Sequence, residues 1–148
     1  MSRGLGDVYK RQEKFSVPAN VYIIGMMNTA DRSLAMLDYA LRRRFAFFEF
    51  SPAFDTEGFR QYCQEKNNKK FDNLIAAIEK LNVAIENDET LGRGFRIGHS
   101  YFCTENSIDD MWLNAVITYE IIPLLNEYWF DEPSKVRDWE YALREAIR

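Results

Sequence analysis

An α/β segment followed by an all-helical bundle is the fold class that the sequence predicts, and three observations point to it. Residues 21–27 are almost wholly apolar and rich in β-branched side chains, a pattern typical of a strand that is buried on both faces. Residues 45–50 form a second strand candidate that is dense in aromatic side chains. From Asp55 onward the apolar residues recur at helical spacing instead.

A polar cluster, residues 28–33, follows the first strand candidate directly. Polar side chains at the carboxyl edge of a parallel strand are where α/β folds place ligand chemistry. A short helix is predicted over 34–41, with Ser33 or Asp31 able to cap its start, and three consecutive arginines close it at 42–44. An isolated pair of strands cannot stabilise itself, so the two strands need a larger sheet.

Four longer helices are predicted in the rest of the chain, and they cover Thr56 to Asn67, Phe71 to Asn87, Ser107 to Tyr128 and Ser134 to Ile147. We expect Ser134, which follows Pro133, to cap the last of them. Residues 95–102 alternate roughly and are interpreted as a short extended piece. The hinge between the two parts of the chain is expected near residues 51–55.

The composition, net charge and cysteine content exclude some classes of function. The chain has 148 residues, 47% hydrophobic and 15% aromatic, which is enough apolar material for one packed domain. Its net charge of −4 argues against a free-standing electrostatic grip on nucleic acid. Cys63 and Cys103 lie far apart in sequence and, with the single histidine His99, leave no zinc ligand set, so we predict reduced thiols and no metal site.

The first residues, MSRGLGDVYKRQ, are polar and start abruptly before a segment that resembles the middle of a fold. We interpret residues 1–14 as a non-native or disordered leader and expect the biological chain to begin upstream. No apolar run approaches the length of about 20 residues that a membrane span needs. We therefore predict a cytoplasmic protein with no membrane partner.

Two elements of the polar region carry chemistry. Asn28 comes directly after a buried strand, where its amide is able to hold an attacking water or touch a nucleotide γ-phosphate; the alternative is that it only caps the turn. Arg43 and Arg44 lie one short helix later, fenced by Leu41 and Phe45. The alternative for such a basic run is a solvated face, but an asparagine at a strand tip followed by fixed arginines is a stronger signal than either part alone.

The segment from Met27 to Ser33 (MNTADRS), together with Asp38 to Phe45 (DYALRRRF), resembles the sensor-1 to arginine-finger segment of McrB-type AAA+ GTPases, the motor subunits of modified-cytosine restriction systems. Residues 94–102 (GFRIGHSYF) resemble the helical-domain segment of the same family, in the region where AAA+ proteins carry sensor 2. The resemblance covers nearly everything after about Phe15.

The resemblance implies a domain organisation and roles at the nucleotide. Residues 15–53 become the C-terminal part of an AAA+ parallel-sheet core of the P-loop NTPase class, and residues 54–148 an all-helical lid. Asn28 resembles sensor 1, which orients the attacking water. Arg43 and Arg44 resemble the arginine-finger region, in which a guanidinium reaches the neighbouring subunit's nucleotide; which of the two acts in trans stays open.

Three further residues are candidates with bland alternatives. Asp31 and Arg32 are implied to couple the motor to an activating partner, the alternatives being a helix cap and an exposed arginine. Arg96 is a candidate sensor 2 near the nucleotide, with an ordinary salt bridge between elements as the alternative. His99 is interpreted as a satisfied interior histidine. The aromatic residues of the last helices are expected in the core, namely Trp112, Tyr119, Tyr128, Trp129 and Phe130.

The sequence contains no Gly-x-x-x-x-Gly-Lys-Ser/Thr loop and no apolar strand ending in Asp-Glu, so this chain alone is predicted not to bind or hydrolyse nucleotide. In the full-length protein the resemblance implies GTP, or ATP, with Mg²⁺, a homo-oligomeric ring and an McrC-type nuclease subunit, and modified DNA held by a domain absent here. Two alternatives remain open: a dynein-related or MoxR-like AAA+ ATPase that remodels proteins, and a non-catalytic helical interaction module.

Overall fold

The computed structural model describes residues 18–27 and 43–148. Its longer helices are α1 (Glu57–Lys66), α2 (Lys69–Glu86), α3 (Asp110–Ala115), the π-helix π1 (Val116–Ile121), α4 (Ile122–Tyr128) and α5 (Pro133–Ala146). Two short 3-10 turns, Arg93–Phe95 and His99–Phe102, connect α2 to α3. The four predicted helices are confirmed, because α3, π1 and α4 follow one another without a break and together fill the third.

Capping side chains define where the helices begin. The Thr56 hydroxyl accepts a hydrogen bond from the Phe59 backbone N–H at 3.3 Å, and the Asn68 side chain accepts one from Phe71 N–H at 3.1 Å. Between them Asn67 has a left-handed backbone, with φ of 47°, which ends α1. Such caps satisfy N–H groups that have no partner within the helix.

The predicted cap of the last helix is wrong. Helix α5 begins one residue earlier, at Pro133, and its N-cap residue Glu132 makes no side-chain capping bond. Proline lacks the backbone N–H that a cap would satisfy, and its fixed φ suits the first helical turn. Ser134 therefore lies inside the helix that it was expected to cap.

The π-helix π1 ends two residues before Pro123. In a regular α-helix the proline nitrogen would have to bond the Tyr119 carbonyl, and its ring would press on that same carbonyl. The structure avoids this conflict with bonds one residue longer: Ile122 N–H donates to the Ile117 carbonyl, the i to i−5 pattern of a π-helix. The π-helix therefore accommodates Pro123 without breaking the third helix, which continues as α4.

The core lies between α2 and the last two helices. Helix α2 packs against α5, while π1 and α4 also pack against α5. The side chains with essentially no exposed surface include Phe71, Leu74, Ile78, Leu81 and Ile85 of α2, Leu113, Ile117, Ile121 and Leu125 of the third helix, Trp129, and Leu143 of α5. A buried side chain of this size contributes about 1.5–3 kcal/mol from removal of apolar surface from water.

The aromatic residues expected in the core divide into two groups. Trp129 is buried, and Trp112 and Tyr128 are partly buried against the core. Tyr119 and Phe130 are 75% and 82% exposed, so their prediction is wrong. Tyr119 lies two positions from both Ile117 and Ile121, and residues two apart point to different faces of a helix.

The predicted strands do not form within the described residues. Residues 21–27 and 46–50 have no regular secondary structure, and side chains such as Ile24 and Phe50 are about nine-tenths exposed. A strand exists through hydrogen bonds to a neighbouring strand, and the described part of the chain offers these two runs no sheet to join. The predicted sheet portion of the fold is therefore not observed, whereas its helical portion is.

The extended piece predicted over 95–102 is also wrong, because the backbone there forms the two 3-10 turns separated by Arg96 to Gly98. Among the described helices, none combines the length and the apolar character that crossing a membrane requires.

Candidate functional site

The predicted site residues fall in three places. Asn28, Asp31 and Arg32 lie outside the described residues, so their roles stay predictions. Arg43 and Arg44 lie in an exposed turn that leads into the segment 46–50. Arg96 lies between the two 3-10 turns, with only 20% of its side chain exposed.

Arg96 is held by groups from three parts of the chain. Its Nη1 lies 3.6 Å from the Glu86 carboxylate of α2, and its Nη2 lies 3.4 Å from Ser51 Oγ and 4.0 Å from the Glu49 carboxylate. Its Nε donates to the Arg93 carbonyl at 3.2 Å. The salt bridge between elements, left open by the sequence as the alternative role for Arg96, is therefore present.

Glu86 is shared by two arginines. Its Oε1 accepts from Arg93 Nε at 2.6 Å, while its Oε2 faces Arg96. Arg93 begins the first 3-10 turn and Arg96 directly follows its last residue, three positions later, a spacing at which side chains of a 3-10 turn share a face. The Arg93 side chain is 74% exposed, so that bond contributes little to stability, as exposed ion pairs do.

Asn82 fixes the loop that carries Arg96. It is a buried polar residue in the core, 7% exposed, and its amide pairs with both backbone groups of Ile97. The Ile97 N–H donates to Asn82 Oδ1 at 2.6 Å, and Asn82 Nδ2 donates to the Ile97 carbonyl at 2.9 Å. Buried polar groups of this kind must be paired, and here both partners lie on the loop, so Asn82 sets its position against α2.

His99 connects the same loop to the segment before α1. Its Nδ1 accepts a hydrogen bond from the Ala53 backbone N–H at 3.2 Å, so the proton of the neutral ring lies on Nε2. Its ring packs edge-on against Phe54 and Phe59. His99 is thus a partly buried residue with a structural partner at Nδ1, in keeping with its interpretation as a packing residue.

Asp88 is the centre of a second cluster, at the carboxyl end of α2. One oxygen accepts from Lys135 Nζ at 2.7 Å and from the Trp129 indole N–H at 2.8 Å, and the other accepts from the backbone and hydroxyl of Thr90. The Lys135 ammonium also lies 4.4 Å from the Trp129 ring centre, a cation–π contact. The Asp88 side chain is 8% exposed, and the cluster connects α2, the end of α4 and α5.

The pKa values follow from these contacts. The hydrogen bond from Lys135, helped by those from Thr90 and Trp129, lowers the pKa of Asp88 well below its ordinary value. Burial lowers the pKa of Lys135, but the hydrogen bond and charge of Asp88 outweigh it, so that this pKa is raised. Both partners are therefore charged across the neutral pH range.

We expect Asp88→Asn to destabilise the chain by about 1–3 kcal/mol at pH 7, because the neutral amide has no charge to pair with Lys135 and its NH2 group cannot accept from the Thr90 N–H. The folded pKa of Asp88 is depressed, so its contribution is present above the unfolded pKa of about 3.9 and is lost as pH falls toward the folded value. Urea unfolding at pH 7 and at pH 3 measures this. The exposed Asp138→Asn on α5 is the matched control, and an equal loss at both pH values would contradict the assignment.

A third set of hydrogen bonds holds residues 102–108 against Tyr62 of α1 and Asn68 between α1 and α2. The Tyr62 hydroxyl accepts from Thr104 N–H at 2.8 Å and lies 3.2 Å from the Phe102 and Thr104 carbonyls. Asn68 Nδ2 donates to the Ile108 carbonyl at 2.9 Å. The loop therefore follows the helices closely, and nothing in its sequence predicted these partners.

Neither cysteine of the chain is in a disulfide. Burial raises the pKa of both thiols, Cys63 and Cys103, which keeps them protonated and weakly nucleophilic. Within residues 18–27 and 43–148 no three His, Cys, Asp or Glu side chains are grouped as a metal ion would need.

Comparison with known proteins identifies the helical part of the chain. Residues 73–137 match the family described as "McrB, alpha-helical lid domain". This stretch runs from the first turns of α2 into α5 and includes Asn82, Arg96 and the Asp88 cluster. The helical region is thus a lid domain of the McrB type.

The match extends to a particular protein. The chain is 50% identical over 139 residues to the type IV methyl-directed restriction enzyme EcoKMcrB subunit of Escherichia coli (strain K12), a match that takes in 89% of this chain and 30% of that relative. The chain is therefore an McrB-type sequence, and the resemblance inferred from its motifs is confirmed. It spans less than a third of the length of this curated relative.

Proposed function

We propose that the chain is the lid-bearing part of an McrB-type nucleoside triphosphatase that hydrolyses GTP to drive a restriction endonuclease specific for modified cytosine. The observation that carries the proposal is the 50% identity to a type IV methyl-directed restriction subunit across most of this chain. The match of the helices to an McrB lid supports the same conclusion. In this proposal the nucleotide and Mg²⁺ are bound by the full-length protein, in its cytoplasmic ring.

Charge placement supports a shared active site. Arg43 and Arg44 lie in an exposed turn, where a guanidinium is accessible to a neighbouring subunit. A trans-acting arginine implies a homo-oligomer, because charge developing on a nucleotide is stabilised only if the guanidinium faces one. An McrC-type nuclease subunit completes the proposed assembly, with Asp31 and Arg32 as the coupling residues and modified DNA bound outside this chain.

The exposed apolar runs at 21–27 and 46–50 fit the same proposal. An exposed apolar surface of this size marks a surface that another element covers. In the full-length protein we propose that residues 21–27 join the parallel sheet of an AAA+ core, with Asn28 at its carboxyl edge as sensor 1, and that residues 46–50 connect that core to the lid.

Turnover of GTP and ATP by the full-length protein tests the proposed reaction. We expect GTP to be hydrolysed, and Asn28→Ala to lower kcat by about 10²-fold or more, because a preorganised donor for the attacking water is removed. Asn114→Ala is the control, since that exposed asparagine bonds only the Asp110 carbonyl of its own helix in the described contacts. Hydrolysis of ATP alone would favour the protein-remodelling alternative, and hydrolysis of neither nucleotide would refute the proposal.

A further inference from the structure

The segment before α1 is attached to the lid by a continuous series of contacts. Asn82 of α2 holds Ile97 at both its N–H and its carbonyl. Ile97 is itself buried, 1% exposed. Because its neighbour Arg96 and the nearby His99 project from the backbone that Asn82 fixes, their side chains start from a defined position on the lid.

Ala53 and Phe54, two residues of the segment before α1, both contact His99. The Ala53 N–H donates to His99 Nδ1. The Phe54 ring is buried and lies within ring-contact distance of Phe59, His99 and Phe102, with centroids 5.3 to 6.3 Å apart. A ring in that setting does not pivot freely, since its rotation would open the core around it.

Arg96 extends the series to residues that precede Pro52. Its guanidinium reaches both Ser51 Oγ and the Glu49 carboxylate, while its other end faces Glu86 on α2. The distances of 3.4 to 4.0 Å are those of a loose pairing rather than of short hydrogen bonds. Together with the bond at Ala53 and the packing of Phe54, this pairing restrains the segment as far as Glu49.

The charges around Arg96 favour this role over contact with a phosphate. The groove beside it is lined by Asp55, Glu79 and Glu86 as well as by Ser51 and Pro52. Glu49 adds a fourth carboxylate. An anionic nucleotide gains little from one guanidinium that is already surrounded by carboxylates.

We propose that residues 49–54 are a rigid extension of the lid, that the lid pivots on the amino-terminal side of Glu49 rather than at residues 51–55, and that Arg96 is a positioning residue that sets the lid's orientation. The part that concerns nucleotide turnover rests on the proposed function. Hinges are a few loop residues that absorb changes in φ and ψ, and residues 46–48 have the exposed, irregular backbone that this requires.

Amide hydrogen exchange of the 148-residue chain tests the attachment without any nucleotide. We expect Arg96→Ala to speed exchange of the Ala53 amide about two- to fivefold, the loss expected for a partly exposed ion pair. Arg93→Ala is the matched control, because Arg93 pairs with the same Glu86 but touches no residue of 49–54 in the described contacts. Exchange at Ile78, in the core, should be unchanged in both variants. An Ala53 amide indifferent to Arg96→Ala would overturn the attachment.

Steady-state kinetics of the full-length protein test the positioning role. A loosened lid reduces the population competent to bind nucleotide, which raises KM and leaves kcat unchanged. We expect about a two- to fivefold higher KM for Arg96→Ala and for Glu49→Gln, no further rise in the double variant, and partial recovery in Arg96→Lys. A fall in kcat with Arg96→Ala alone, with Glu49→Gln unaffected, would overturn the proposal in favour of direct contact with nucleotide.

The two experiments separate the two proposals. If the full-length protein hydrolyses no nucleotide, the proposed function fails and the positioning role fails with it, while the exchange of Ala53 still decides whether residues 49–54 belong to the lid. If turnover is normal but the KM of both single variants equals that of the wild type, only the positioning role is overturned.

Discussion

One of the two substitutions Arg43→Ala and Arg44→Ala is expected to lower GTP turnover of the full-length protein about 10³- to 10⁵-fold, the usual worth of an arginine finger. The reason is electrostatic. Negative charge spreads over the γ-phosphoryl oxygens in the transition state. A guanidinium from the next subunit therefore stabilises the transition state more than it stabilises the ground state. The effect should appear in kcat, measured with the McrC-type partner present.

Controls for this prediction come from the chain itself. The other arginine of the pair should show a much smaller effect, and Arg137→Ala, an exposed arginine on α5, should show none. Because Arg43 and Arg44 lie in an exposed turn, neither substitution should alter thermal unfolding by more than the usual range of about 0.5 kcal/mol for surface changes. Normal turnover in both variants would remove the trans-finger assignment.

The largest expected effect on stability belongs to Trp129. Its side chain is 1% exposed, at the junction of α4, α2 and α5, and its indole N–H donates to Asp88. Trp129→Ala leaves a cavity and removes that bond, and we expect a loss of about 3–5 kcal/mol in the free energy of unfolding. Since a domain of this size is stable by only about 5–15 kcal/mol, this variant approaches the limit of folding.

Trp129→Phe separates the two contributions. The phenyl ring keeps most of the packing but has no N–H, so the loss should fall to about 1–3 kcal/mol. Phe130→Ala at the neighbouring, 82% exposed position should cost less than about 0.5 kcal/mol. Urea unfolding monitored by far-UV circular dichroism measures all three. An equal loss for Trp129→Phe and Trp129→Ala would show that packing contributes nothing, contrary to this account.

The helices could be predicted from sequence because their signals are local. Apolar spacing and the caps Thr56 and Asn68 lie within a few residues of the helix starts they define. Two wrong predictions also have local causes. The last helix begins at Pro133, so that Ser134 lies inside it and does not cap it. Residues 95–102 alternate roughly in polarity, but their backbone forms 3-10 turns. The π-helix was hidden, because the apolar pattern continues through it.

The site contacts could be predicted only in part. The salt bridge of Arg96 was one of two alternatives that its residue type permits. Several partners of Arg96 and Asp88 are distant in sequence: Arg96 meets Ser51 45 residues away, and Asp88 meets Trp129 41 residues away and Lys135 47 residues away. No local pattern encodes such pairs. The strands failed for a related reason, since a strand depends on neighbours that its own residues do not specify.

The central claim is that one nucleotide pocket is completed by the arginine of the adjacent subunit, and mixing inactive variants tests it most directly. The Arg43→Ala or Arg44→Ala protein that has lost turnover is combined with a full-length variant whose phosphate-binding loop is disabled, and GTP hydrolysis is measured with the McrC-type partner present. Shared pockets predict that the mixture recovers activity that neither variant has alone. A mixture as inactive as its components, in rings shown to contain both variants, would contradict the account.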